Sequence, residues 1–110
     1  MNFSFLLVIA LGIICIVIGV FNMRGNISSI HWHHRRRVAE EDILPFGRQV
    51  GLGTIIIGIS IILCGFLFLA YELSKNDLFT IIGTIIMIIG VVIGSILSFR
   101  AMIKYNKGIF

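Results

Sequence analysis

The chain has 110 residues, 58% hydrophobic and 13% charged, with nine Lys and Arg against five Asp and Glu for a net charge of +4. That apolar share is too high and that charged share too low for a soluble globule. Two cysteines rule out a disulfide scaffold, and a few Arg set beside acidic residues are no nucleic-acid footprint, so no nucleic acid is expected as a partner.

The first element is the uncharged run Phe3–Phe21, close to the roughly 20 residues that a spanning helix needs. A secretory signal would carry a basic start and a small-x-small cleavage site. MNFSF has no Lys or Arg and no such site follows, so the run reads as a retained span.

Next comes a 28-residue polar island, Asn22–Gln49, holding all three histidines, the only tryptophan, the only proline and eight of the fourteen charged residues. Gly25 and Asn26 suit a turn at the exit of the first span, and Ser28 or Ser29 can cap a short helix through Asp42. On a helical wheel Ile27, Ile30, His31, His34, Val38 and Glu41 share one side of that helix, while Trp32, Arg36, Ala39 and Glu40 lie elsewhere. Three apolar residues make it only mildly amphipathic. Its charge order, Arg35, Arg36 and Arg37 before Glu40, Glu41 and Asp42, opposes the helix dipole, so external contacts are expected to hold it. Pro45 fits the first turn of the next helix, with Asp42 placed to accept hydrogen bonds from the free amides there.

His31 and His34, three apart, share a helix face with Glu41, which makes them weak candidates for an N,N,O metal site. No second ligand pair or zinc-type spacing accompanies them, so neither metal nor any other cofactor is expected. Beside the Arg run these histidines could also sense pH, since neighbouring cations disfavour the charged imidazole. Nucleophile elbows, phosphate-cradling loops and paired metal motifs are absent, and the chain reads as a non-enzyme.

Two further uncharged runs follow, Val50–Tyr71 and Leu78–Phe99, joined by Glu72–Asp77 and ending in the tail Arg100–Phe110. Without water at membrane depth the backbone must pair internally, and runs that are continuous rather than alternating give helices, not a barrel. The expected fold is therefore an all-α membrane protein: one domain, residues 1–110, of three transmembrane helices with a short amphipathic cytoplasmic helix between the first and second. Glycine recurs every seven residues, at Gly12 and Gly19, at Gly51, Gly58 and Gly65, and at Gly83 and Gly90, with Gly94 and Gly47 adding four-residue spacings. Seven residues are two turns, so each helix would present a row of missing side chains to a neighbour. The spans hold Thr54, Ser60, Thr80, Thr84, Ser95 and Ser98 but no ionisable Asp, Glu, Lys, Arg or His, which disfavours a proton-coupled transporter. Cys15 and Cys64 read as small packing groups.

Lys and Arg number five in the island, one in the link and three in the tail, with none before Phe3. The positive-inside rule then puts residues 22–49 and the C-terminus in the cytoplasm and the N-terminus and link outside. Phe3, Phe5, Tyr71 and Phe79 would mark the outer boundary and Phe21, Phe46, Phe99 and Tyr105 the inner one. The basic segments would meet an anionic inner leaflet.

GNISSIH (Gly25–His31), RRRVAEEDILPFGRQVGLG (Arg35–Gly53) and KYNKGIF (Lys104–Phe110) resemble segments of an uncharacterised family of small multi-pass membrane proteins of Gram-positive bacteria. The resemblance spans most of the chain; VAEED followed by PFG and VGLG is its most specific part. It implies a bacterial plasma membrane and brings no activity or catalytic residues. The functional expectation is association: an accessory or regulatory subunit of a membrane complex, bound to other membrane chains or to itself. Ile30, His31, Trp32, His34, Arg35, Arg36, Arg37, Glu40 and Glu41 would form the cytoplasmic interaction surface. The alternatives are a homo-oligomeric pore lined by Thr and Ser, and a metal- or haem-binding sensor.

Overall fold

The computed structural model describes residues 4–27 and 38–107. These form three helices, α1 (Ser4–Met23), α2 (Ile43–Ser74) and α3 (Asp77–Tyr105), with a single 3-10 turn at Glu40–Asp42 before α2. Among the described residues there is no strand. All three helices are long and apolar enough to cross a membrane, with mean hydropathy of 3.0, 2.6 and 2.6 over their best 18-residue windows.

Helix lengths differ from the apolar runs. At about 1.5 Å per residue α1 is about 30 Å long, α2 about 48 Å and α3 about 44 Å. The extra turns carry Ile43–Gln49 of α2 and Arg100–Tyr105 of α3, where backbone pairing continues after the sequence turns polar.

Each boundary has a local cause. α1 ends in a Schellman motif: Gly25, at φ 96°, donates its N–H to Asn22 O at 3.0 Å, and Asn26 N–H reaches Phe21 O at 3.0 Å. A left-handed residue at this position favours glycine. α2 ends at Lys75, itself left-handed at φ 57°, whose N–H meets Tyr71 O at 2.6 Å. Only Lys75 and Asn76 then separate α2 from α3, fewer than the six residues of the sequence-derived link. Asn76 caps α3, its Oδ1 accepting the Leu78 N–H at 3.0 Å. Asp77 in the first turn and Lys104 in the last complement the α3 dipole.

The expected helix from Ser28 or Ser29 through Asp42 lies mostly outside the described residues, and its described end departs from that expectation. Val38 and Ala39 are not helical, and Glu40–Asp42 make one 3-10 turn in which Asp42 N–H meets Ala39 O at 2.9 Å. Pro45 supplies a reason: in a continuing α-helix its ring would strike the carbonyl four residues back, at Glu41. Asp42 occupies the N-cap position of α2 but its side chain makes no cap hydrogen bond. Its backbone is helical (φ −97°, ψ −4°) rather than extended, as side-chain capping requires.

The helices form a layer with α2 in the middle. α1 and α3 each run antiparallel along α2, and among the described residues they share no extended contact with each other. With 3.6 residues per turn, Gly51, Gly58 and Gly65 occupy one side of α2, and Gly53 and Ser60 sit about 200° round from Gly51 and Gly58 respectively. The first side meets α1: a Cβ on Gly12 would stand 2.7 Å from Gly58 O, and one on Gly58 would stand 2.7 Å from Gly12 O. Gly19 and Gly51 make the same reciprocal approach, Gly65 faces Ile9 and Phe5, and Gly47 faces the Asn22 carbonyl. The second side meets α3, where Gly53 and Gly94 approach reciprocally, Gly90 lies against the Ser60 side chain and Gly83 against Cys64 and Leu67. One glycine row per helix was the expectation; α2 instead turns small residues to both neighbours.

Candidate interaction surface

The two ends of the layer are built differently. At the end holding the α1 C-terminus, the α2 N-terminus and the α3 C-terminus, Phe46, Val50, Ala101 and Met102 form a buried cluster. Phe46 is fully buried and meets Tyr105 edge-on, ring centroids 6.3 Å apart. Asn22 and Asn106 are buried at this end too, and among the described residues no buried side-chain nitrogen or oxygen lacks a hydrogen-bond partner. At the other end the short α2–α3 connection is tied locally, with Lys75 Nζ 3.3 Å from Glu72 Oε2 and 5.4 Å from the Tyr71 ring centroid.

Ile27 and Val38 both pack against the Phe46 cluster. In the sequence they belong to the apolar stripe of a short amphipathic helix; in the fold they are anchors on either side of residues 28–37. Both flanking residues thus rest on the same core. Period alone did not reveal this, because the partner surface is made by α2 and α3, remote in sequence.

Of the sequence-derived interaction surface, Ile30, His31, Trp32, His34, Arg35, Arg36 and Arg37 lie outside the described residues. Glu40 and Glu41 are exposed on the 3-10 turn, one turn from the base of that segment. Glu41 alone of the weak metal candidates is described, and the described residues include no cluster of three or more potential metal ligands. Cys15 and Cys64 are both free. Cys15 packs at the α1–α2 contact and Cys64 on the α3 side of α2, so the central helix separates them.

Three of the hydroxyls within the spans are committed to their own helices. Thr54 Oγ1 donates to Val50 O at 3.0 Å, Ser60 Oγ to Ile56 O at 2.9 Å and Thr84 Oγ1 to Thr80 O at 2.9 Å. Such bonds satisfy a hydroxyl inside a helix without another chain or water. By contrast, the outward faces of the flanking helices are bare hydrocarbon: Leu7, Leu11, Ile14 and Val17 on α1, and Ile81, Ile85, Ile88 and Val92 on α3, are exposed.

Two clefts open between helices. One of about 180 Å³ is lined by Ser4, Phe5, Phe68, Tyr71, Glu72 and Thr80 at the Lys75 end. The other, about 290 Å³, lies between α2 and α3 near the opposite end and is lined by Gln49, Arg100, Ile103 and Lys104. In the sequence Arg100 and Lys104 bear only on topology; the α2–α3 register sets them in one cleft with Gln49.

No known family, curated protein or solved structure matches the chain.

Proposed function

We propose that this chain is a non-enzymatic integral membrane protein that works by association, as an accessory or regulatory subunit of a larger membrane complex. The carrying observation is the layer itself. α1 and α3 each cover one face against α2 and leave long apolar faces open, while Thr54, Ser60 and Thr84 bond to their own backbone. Open apolar faces on the flanking helices suit lipid or partner helices; self-satisfied hydroxyls favour packing over a wetted pore.

In this reading the small-residue faces of α2 let three backbones approach closely, and van der Waals contact holds them where the hydrophobic effect is absent. The basic ends lie in the cytoplasm of a bacterial cell, against an anionic leaflet, by the positive-inside rule and the resemblance in sequence. Ile30, His31, Trp32, His34, Arg35, Arg36, Arg37, Glu40 and Glu41 are the docking surface, and the flanking Ile27 and Val38 pack against the Phe46 cluster.

Crosslinking and native co-purification from the membrane test this. The wild-type chain is expected to travel with other membrane chains, and charge reversal at Arg35, Arg36 and Arg37 with His31→Ala and His34→Ala is expected to release them. An unchanged set of co-purifying chains sinks the docking role, and solute flux through liposomes holding only the purified protein would replace it with a pore.

A further inference from the structure

The cleft between α2 and α3 brings two cations and an amide together at the end of an apolar stripe. Arg100 and Lys104 are one turn apart on α3 and line it with Ile103. Gln49 closes the α2 side, its Nε2 held by Leu97 O at 3.1 Å, which fixes the amide and ties the cleft wall across the two helices. Below Arg100 on the same flank of α3 come Ile96, Ile93 and Ile89, at helical spacings of four, three and four residues, with exposures of 50%, 46% and 53%.

Depth fits this arrangement to a lipid. Arg100 lies about 33 Å along the helix axis from Leu78, against a hydrocarbon thickness of about 30 Å. Its guanidinium therefore sits at headgroup level while the isoleucines lie among acyl chains. Arg offers a planar fork that grips phosphate oxygens in pairs, and Lys adds a mobile point charge. An acidic protein would use the cations but not the stripe beneath them.

We propose that this cleft binds the phosphate of an anionic phospholipid, with an acyl chain lying along Ile96, Ile93 and Ile89. The proposal rests on membrane placement and not on the docking role of the 28–37 segment.

The test uses the full chain in mild detergent, titrated with phosphatidylglycerol or phosphatidylcholine and read by native mass spectrometry. Wild type is expected to hold phosphatidylglycerol roughly tenfold more tightly, and the double variant Arg100→Gln/Lys104→Gln to lose that preference. Arg24→Gln/Arg48→Gln removes the same charge outside the cleft and is expected to keep it. Equal loss in the two double variants, or no preference in wild type, overturns the site. Inorganic phosphate that displaces the lipid at matched concentration overturns the acyl-chain half, leaving a free-anion site. The wild-type measurements decide even where a variant folds poorly. An acidic protein released by Arg100→Gln/Lys104→Gln with lipid retention unchanged overturns the lipid assignment.

Discussion

The two faces of α2 hold their neighbours by different means. Against α1 glycine backbones meet in reciprocal approach, Gly12 to Gly58 and Gly19 to Gly51, flanked by the Ile55 and Ile62 side chains, and the two helices are joined through the long segment from Arg24 to Asp42. Against α3 the contact mixes small residues with side-chain chemistry: Gly53 to Gly94, Gly90 on Ser60, the Gln49–Leu97 hydrogen bond and the Phe46–Tyr105 ring pair. A two-residue connection adds to it. Glycine packing runs the length of the first pair; glycine packing, the Gln49–Leu97 hydrogen bond and a short tether join the second. In a bilayer, where apolar surface gains little by leaving lipid, close packing rather than burial carries both contacts.

Gly58→Leu should break the comparison hardest. Its side chain must enter space bounded by the Gly12 carbonyl, Ile16 and Cys15, and backbone cannot move aside as a side chain can. A loss of about 3 kcal/mol or more is expected, seen as failure of an Ile9→Cys/Ile62→Cys disulfide to form in membranes, while an α2–α3 crosslink persists. Retention of the α1–α2 crosslink at wild-type yield would refute the backbone contact.

Gly90→Ala should cost less, about 2 kcal/mol, because the obstacle is the Ser60 side chain. Ser60→Gly in the same chain should restore most of that loss, since it removes the Cβ and hydroxyl that a methyl on Gly90 would strike. Thermal unfolding of the single and double variants in detergent measures the coupling. Additive losses would mean that the two positions do not face each other.

Gln49→Ala should have the smallest effect, about 0.6 to 1 kcal/mol, the usual worth of one polar contact between membrane helices. The α2–α3 crosslink should survive it. Separation of α3 by this change alone would show that the polar contact, rather than small-residue packing, governs that face.

Three spans were legible from charge-free runs because a bilayer demands them, and the turn at Gly25 followed from the residue's tolerance of positive φ. Helix ends were less legible. Absence of charge marks where hydrocarbon stops, whereas α2 begins at Ile43 and α3 ends at Tyr105 because backbone pairing continues into polar surroundings. The second small-residue face of α2 was hidden by composition: Gly53 and Ser60 stand seven residues apart, but a seven-residue rule that counts glycines alone passes over a pair whose second member is serine. That Ile27 and Val38 anchor one core, and that Gln49 lines a cleft with Arg100, depends on which helices are neighbours, and one sequence carries no record of that.

The unequal lengths of the helices have a mechanical consequence. The described span of α1, 20 residues, about matches the thickness of a bilayer's oily interior, whereas α2 and α3 overhang it. When the surrounding membrane thickens, the longer pair can stand more upright and stay matched, but α1 can respond only by drawing its ends inward or straining the film around it. The resulting load falls as shear along the α1–α2 seam, so membrane thickness would bear first on the first helix.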